Sequence, residues 1–166
     1  MLCKIDNYLK KLYRLSGYVA ATFLILIAIF ILTGIASRLF GFYIRGLAEY
    51  SGYCMAASSF LALAYTFGDK GHIRITLFLE KANENIKRFL EIWCLAISTF
   101  FSGFLSYYFI KMLIISFDFK ERSEGADEIY IWIPQLGVAI GSLIFFICIL
   151  HNFISFILNK KLNNHA

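Results

Sequence analysis

The run LSGYVAATFLILIAIFILTGIAS, from Leu15 to Ser37, decides the fold, because it contains no charged residue and is almost continuously apolar. An α-helix needs about 20 such residues to cross a hydrocarbon layer about 30 Å thick. The rest of the chain repeats the pattern: 60% of its 166 residues are hydrophobic, 16% are charged, and the mean hydropathy is +0.69. Soluble domains contain about 45–50% apolar and about 25% charged residues. The composition therefore excludes a water-soluble domain and predicts an integral membrane protein.

Three further apolar runs follow the first, and together they predict an all-α membrane protein with four transmembrane helices. The predicted spans cover about 15–37, 47–67, 90–117 and 131–158. The third and fourth runs are longer than the bilayer requires, so they tilt or extend beyond it. The first run is too long for the apolar core of a signal peptide, which has about 7–15 residues. Residues 1–166 are predicted to form a single four-helix transmembrane domain.

The lysines and arginines are distributed unevenly between the segments that connect the runs. The N-terminal segment, the loop between the second and third runs and the C-terminal segment hold 11 of the 16, whereas the other two loops hold four. Loops with an excess of positive charge lie in the cytoplasm. Both termini and the middle loop are therefore predicted to be cytoplasmic. Because the basic residues separate apolar runs and do not form one patch, no nucleic acid partner is expected.

Two amphipathic stretches are predicted to form interfacial helices, at about 4–14 and 74–90. In both, apolar residues recur at helical spacing while charged residues occupy the other faces. Helices of this kind bury their apolar face among the membrane lipids at the surface. The second helix alternatively extends the third span. A lipid anchor and a partner-binding arm are both compatible with its sequence.

The loop from Asp118 to Glu128 holds five of the chain's 11 acidic residues. On the predicted topology it faces the outer compartment, as a solvated loop or as a docking surface for a soluble partner. The candidate docking residues are Glu121, Glu124, Asp127 and Glu128. The loop lacks the spaced aspartates and glycine of a calcium-binding loop, which argues against a calcium site.

Ionisable side chains are absent from the centre of every predicted span, where an ion or electron pathway would need them. Arg45 and Glu49 stand four residues apart near the start of span two, so the two could pair on one helix face. Lys111 and His151 lie towards the ends of their spans. The cysteines show no metal-binding spacing, and no nucleophile–base pair, phosphate-binding loop or HExxH motif occurs. We therefore predict no catalytic, metal or cofactor site and no enzyme.

Small residues recur at helical spacing in the spans, as expected where helices approach each other closely in lipid. Gly137 and Gly141 form a GxxxG motif in span four, and Gly52, Ala56 and Ser59 form a row in span two. Such rows pack either the chain's own helices or a partner. Packing within the chain is the favoured interpretation for most of them.

Three short motifs stand at the borders of the predicted spans. RGLAEYS at 45–51 begins span two, GHIRI at 71–75 follows it, and IWIP at 131–134 leads into span four. In this order, on a four-span plan, the chain resembles the small membrane subunit of tripartite ATP-independent periplasmic (TRAP) transporters over nearly its whole length. The structural or interface residues singled out by the motifs and by the GxxxG row are Arg45, Glu49, Gly71, His72, Arg74, Trp132, Pro134, Gly137 and Gly141.

The resemblance implies a function that the residues alone do not supply. In this family the small subunit pairs with a large permease subunit, which carries the substrate and sodium sites. A periplasmic binding protein delivers an organic acid, such as a sialic acid or a dicarboxylate. The resemblance therefore implies a non-catalytic scaffold in the bacterial inner membrane, with sodium coupling in the large subunit and no cofactor in this chain.

Two functions from other classes stay open. A self-sufficient small exporter working as a homodimer needs a membrane-embedded carboxylate, and Glu49 is the nearest candidate although it lies close to the surface. A membrane anchor subunit of an oxidoreductase that holds haem needs two histidines in its spans, and only His151 lies in one.

Overall fold

The computed structural model describes residues 2–68, 84–123 and 128–163, which form four helices. In chain order these are α1 (Leu2–Leu39), α2 (Leu47–Gly68), α3 (Glu84–Asp118) and α4 (Trp132–Asn163). The described residues contain no strand, and their one β-like pairing is an isolated antiparallel bridge between Arg122 and Tyr130. The all-helical fold class predicted from the sequence is confirmed.

Three of the described helices are long and apolar enough to cross a membrane. The qualifying stretches are Tyr8–Leu39, Phe89–Asp118 and Trp132–Ile157. α2 is not among them, and its sequence mixes a glutamate, serines and tyrosines with its apolar residues. Its 22 residues would still reach about 33 Å along a helix axis, enough to cross by length. The fourth span, predicted at 47–67, therefore stays a prediction.

The helices pack in the order α1, α2, α4, α3, so that α2 and α4 each lie between two neighbours. α1 touches α4 only marginally. α2 runs parallel to α4, because Gly137 and Gly141 of α4 lie against Ala57 and Leu61 of α2 in the same sequence order. The beginning of α1 and the end of α4 consequently lie at one end of the bundle, which we call the tail end. The connection 40–46 and the described parts of the second connection, residues 119–123 and 128–131, lie at the opposite end, the loop end.

α1 is one continuous helix, which changes the prediction for the N-terminal segment. The stretch 4–14, predicted as a separate interfacial helix, forms the first turns of α1. Tyr13 is buried, and its ring lies so close to Gly68 of α2 that a Cβ there would be 2.8 Å away. This contact supports the helix beyond the apolar run. α3 likewise begins at Glu84, within the predicted helix 74–90, and residues 69–83 lie outside the described part of the chain.

The contact between α2 and α4 forms the core, and it is built mainly from small residues. Buried there or on the adjoining surfaces of the two helices are Ala57, Ser58, Leu61, Ala64, Ala139, Ser142, Cys148 and Ile149. Association in lipid depends on close packing and hydrogen bonds, because lipid tails are as apolar as the side chains. The Ser58 hydroxyl donates to the Ala20 carbonyl of α1 at 3.2 Å. The Cys148 thiol donates to the Ala64 carbonyl at 3.7 Å. Small residues thus hold three helices together.

The connection between α1 and α2 is a tight turn with two glycines in left-handed conformations. The Phe42 N–H donates to the Ser37 carbonyl at 3.0 Å, and the Gly41 N–H donates to the Arg38 carbonyl at 3.2 Å. These two bonds form a Schellman cap, in which a residue with positive φ ends the helix. Gly41 has φ 76°, and Gly46, just before α2, has φ 78°. Both values suit glycine, and the turn connects the end of α1 to the start of α2.

Candidate partner interface

α2 presents one face that the other described helices leave exposed. Its residues recur every three or four positions, so they lie along one side of the helix. The members of this face are Ala48, Gly52, Met55, Ser59, Leu63 and Thr66. We call this set the α2 face. The hydroxyls of Ser59 and Thr66 donate to carbonyls one turn earlier, at 2.8 and 2.9 Å. The face is therefore uncharged, and its hydroxyl groups already have acceptors.

The exposed face of α4 has a different composition from the α2 face. It consists of branched aliphatic residues: Ile133, Leu136, Ile140, Leu143, Ile154 and Ile157. Large aliphatic side chains suit contact with lipid tails, whereas small residues are enriched where transmembrane helices pack on each other. The α2 face thus offers small side chains at Ala48, Gly52 and Ser59, beside the larger Met55 and Leu63, whereas the exposed face of α4 is made of large aliphatic side chains throughout.

The helical glycines show which close contacts the chain makes with itself. A Cβ on Gly141 would lie 2.9 Å from the Leu61 nitrogen, and a Cβ on Gly137 would lie 2.6 Å from the Ala57 Cβ. Three further glycines are equally crowded: Gly17, Gly68 and Gly103. At Gly52, on the α2 face, a Cβ would meet nothing within 4 Å. Glycine inside a helix costs about 1 kcal/mol relative to alanine, and no contact within the described chain explains that cost at Gly52.

Arg45 and Glu49 flank the start of α2 without forming the predicted ion pair. The helix begins at Leu47, so Arg45 lies in the preceding turn and not one helical turn before Glu49. Residues four apart face each other only inside a helix, which explains the difference. Arg45 is exposed and Glu49 is half-buried. Their role at an interface stays a prediction.

Trp132 and Pro134 form the first turn of α4. The Trp132 ring makes an edge-to-face contact with Phe117, with 5.5 Å between the ring centroids, and this contact joins the start of α4 to the end of α3. Proline suits a first turn because the N–H that it lacks would have no helical acceptor there. Gly137 and Gly141 follow on the side that faces α2. The structure thus places Trp132 and the two glycines in contacts within the chain.

The described part of the acidic loop is folded onto the loop end by its own side chains. The Ser116 hydroxyl donates to the Glu121 carboxylate at 2.7 Å. Arg122 donates to Glu128 at 3.1 Å, and the Arg122 guanidinium lies 5.3 Å from the centre of the Tyr130 ring. The hydrogen bond to Glu128 is the main cause that raises the pKa of Arg122, with Tyr130 contributing. Two of the predicted docking residues are therefore engaged within the loop.

The acidic loop is also tied to α2, since the hydroxyls of Tyr53 and Ser123 are 2.9 Å apart. Five predicted site residues lie outside the described part of the chain, and their placement stays a prediction: Gly71, His72, Arg74, Glu124 and Asp127. Within residues 2–68, 84–123 and 128–163, no group of three or more His, Cys, Asp or Glu side chains is placed to hold a metal ion.

The sequence signalled part of the α2 face but not its exposure. Gly52 and Ser59 of the small-residue row are exposed, whereas Ala56 is half-buried beside them. The helical spacing of Ala48, Gly52, Ser59 and Thr66, with Met55 and Leu63 in the same row, is the signal that extends the row to the full face. Spacing does not distinguish a face that packs within the chain from one that is left uncovered, because both have the period of a helix.

Comparison of the sequence with protein families gives a further observation, independent of the helix packing. Residues 14–159 match the family described as tripartite ATP-independent periplasmic transporters, DctQ component. No match was found among curated protein sequences. The matched region begins at Arg14 in α1 and ends at Asn159 in α4, so it includes most of α1 and α4 and the whole of α2 and α3. The chain therefore belongs to the DctQ component family of TRAP transporters, the small component that its three motifs indicate.

Proposed function

We propose that this chain is the non-catalytic scaffold subunit of a sodium-coupled TRAP transporter that imports an organic acid. Membership of the DctQ family carries the proposal, because that family is a transporter component and not an enzyme family. Its partners would be a large permease subunit and a periplasmic binding protein. The organic acid is of the sialic acid or dicarboxylate type, and both substrate selectivity and sodium coupling belong to the partners.

The packing of the described helices supports a static role. The contact between α2 and α4 is so close that a Cβ at Gly137 or Gly141 would overlap the opposite helix. Its buried hydroxyls bond within the bundle, as where Ser142 donates to the Ala139 carbonyl at 2.9 Å. Interiors packed in this way resist deformation. A scaffold needs such rigidity, and the moving transport site would then reside in the large subunit.

The α2 face supports contact with that subunit. A transmembrane helix of the large permease would pack along Gly52 and Ser59, where small side chains allow close approach. α2 would then lie between protein neighbours on several sides. Such neighbours would accommodate α2 in the membrane as the fourth span, although it has no stretch apolar enough to qualify as membrane-spanning by composition.

The proposed topology places the loop end in the periplasm and both termini in the cytoplasm of a bacterial cell. We expect an Asp118→Cys variant, at the exposed end of α3, to react with a membrane-impermeant maleimide in intact spheroplasts. An Ala82→Cys variant should react only after the membrane is permeabilised. Both variants are made in a chain whose native cysteines are replaced by serine or alanine. Labelling of Ala82→Cys alone in intact spheroplasts would overturn the topology.

Co-expression with the large permease subunit tests the scaffold role. Without this chain, we expect the yield of folded large subunit and the sodium-dependent uptake of substrate to fall by about tenfold or more, because the large subunit would lose its membrane partner. The control is the large subunit expressed with the intact chain at the same level. Full uptake by the large subunit alone would contradict the proposal, and so would uptake or export by this chain alone.

A further inference from the structure

A cleft of about 250 Å³ lies between α1, α2 and the turn 40–46 at the loop end. Apolar side chains form most of its lining, among them Phe30, Ile35 and Leu47, and the Arg38 side chain also lines it. We infer that this cleft binds one membrane phospholipid, with an acyl chain against the apolar side chains and the lipid phosphate on the Arg38 guanidinium.

The position of Arg38 along α1 matches the depth of lipid phosphates. The uncharged run from Leu15 to Ser37 is long enough to cross the hydrocarbon layer of about 30 Å. Arg38 is the first charged residue after that run, so it lies at the polar edge of the layer. The cleft extends from Arg38 back along α1 to Phe30, about two helical turns deeper. A phospholipid has the same order from the membrane surface inwards, with its phosphate at the polar edge and its acyl chain deeper.

Arg38 is available for a phosphate. It is exposed and makes no ion pair with any described residue, since the ion pair found in the described regions joins Arg122 to Glu128. Arginine binds phosphate oxygens through two parallel N–H groups. Tyr43 also lines the cleft, and its hydroxyl offers a further donor. The hydroxyls of Ser37 and Ser51, which line the cleft too, already donate to the carbonyls of Gly34 and Ala48. The charge of Arg38 therefore carries the match to a phosphate, and it would be poorly matched by a second hydrocarbon surface.

The cleft is accessible from the side of the helices and not only from their ends. Ile31 and Ile35 line it and are 50% and 53% exposed on the surface of α1. In a membrane that surface faces lipid, because α1 is a spanning helix with few buried residues. A lipid can therefore enter laterally, whereas a soluble ligand would meet a mostly apolar wall. The inference depends on membrane insertion of α1 and not on the proposed transport function.

Native mass spectrometry of the full-length chain, purified with any subunits that accompany it, tests the inference. After exchange into detergent, we expect the wild-type chain to retain one phospholipid from a mixture of phosphatidylethanolamine and phosphatidylglycerol. Gly34→Phe should fill the cleft, because a Cβ at Gly34 meets only Leu47, at an ordinary 3.7 Å. Arg38→Gln should remove the phosphate contact. Each variant should lower lipid retention by about tenfold. Arg38→Gln loses a charge-assisted contact with the phosphate, and Gly34→Phe fills the space that the acyl chain would occupy.

Matched controls separate the cleft from the rest of the lipid-exposed surface. Ala28→Phe adds the same ring to an exposed position of α1 outside the cleft, and Lys111→Gln removes an exposed charge from α3. Both should retain the lipid. Equal retention by Gly34→Phe and Ala28→Phe would overturn the inference, as would replacement of the lipid by inorganic phosphate at equal affinity. A benzoylphenylalanine at Tyr43, which lines the cleft, should crosslink to a lipid; a crosslink to a protein instead would also overturn it.

Discussion

Gly52→Leu is expected to separate this chain from the large permease subunit while leaving its own fold intact. A leucine on the α2 face would keep an approaching helix away from positions where glycine and serine otherwise permit close contact. The chain itself would be unaffected, because a Cβ at Gly52 meets nothing within 4 Å and leucine favours a helix by most of 1 kcal/mol over glycine. We expect the amount of large subunit that co-purifies with the tagged chain to fall by about tenfold or more.

Two variants control this experiment. Gly52→Ala adds only a methyl group at the same site and should retain most of the large subunit. Ile140→Phe enlarges a side chain that is 50% exposed on α4 and should have no effect, since lipid adapts to its shape. If Gly52→Leu co-purifies with as much large subunit as the wild type does, the α2 face is not the interface. If only Ile140→Phe loses the partner, the interface lies on α4 instead.

The positions of the apolar runs could be predicted because each run is bounded by charged or turn-forming residues, although three of the four helices extend several residues beyond their runs. The run predicted at 47–67 became α2, Leu47–Gly68, and the run at 131–158 lies within α4 apart from its first residue. The same reasoning failed for the stretch 4–14, which continues into α1. Amphipathic spacing describes only which residues share a face. It does not say whether the helix bends at the membrane surface or continues, because that depends on contacts such as the one between Tyr13 and Gly68.

Which helix faces pack on each other could not be predicted from the sequence. A face that packs within the chain and a face left for another protein have the same helical spacing. The row that begins at Gly52 and the motif at Gly137 and Gly141 have the same period, yet one is exposed and the other packs on α2. Their difference arises from the parallel arrangement of α2 and α4, a long-range feature. The expected pair of Arg45 and Glu49 failed for a local reason. Gly46, with φ 78°, lies between them and precedes the helix that the pair required.

The second large effect is expected at Gly141, where a single methyl group should destabilise the bundle. A Cβ there would lie 2.9 Å from both the Leu61 nitrogen and the Phe60 carbonyl carbon. These are backbone atoms, so no side-chain rotation can relieve the overlap and α2 itself must shift. α2 is held on its other side by α1, since Tyr65 packs as tightly on Gly17. Overpacking of this kind costs about 1–3 kcal/mol.

Thermal unfolding of the purified chain in detergent measures this cost. For Gly141→Ala we expect Tm to fall by about 2–12 °C, since each kcal/mol shifts Tm by about 2–4 °C in a chain of this size. Gly52→Ala is the matched control, because it makes the same change on an uncovered face, and its Tm should stay the same or rise slightly. Equal Tm values for the two variants would contradict the close contact between α2 and α4. Gly141→Ala is thus expected to lower the Tm of the chain, and Gly52→Leu to lower the amount of large subunit that co-purifies. These two results would assign Gly141 to the packing of the bundle and Gly52 to the contact with the large subunit.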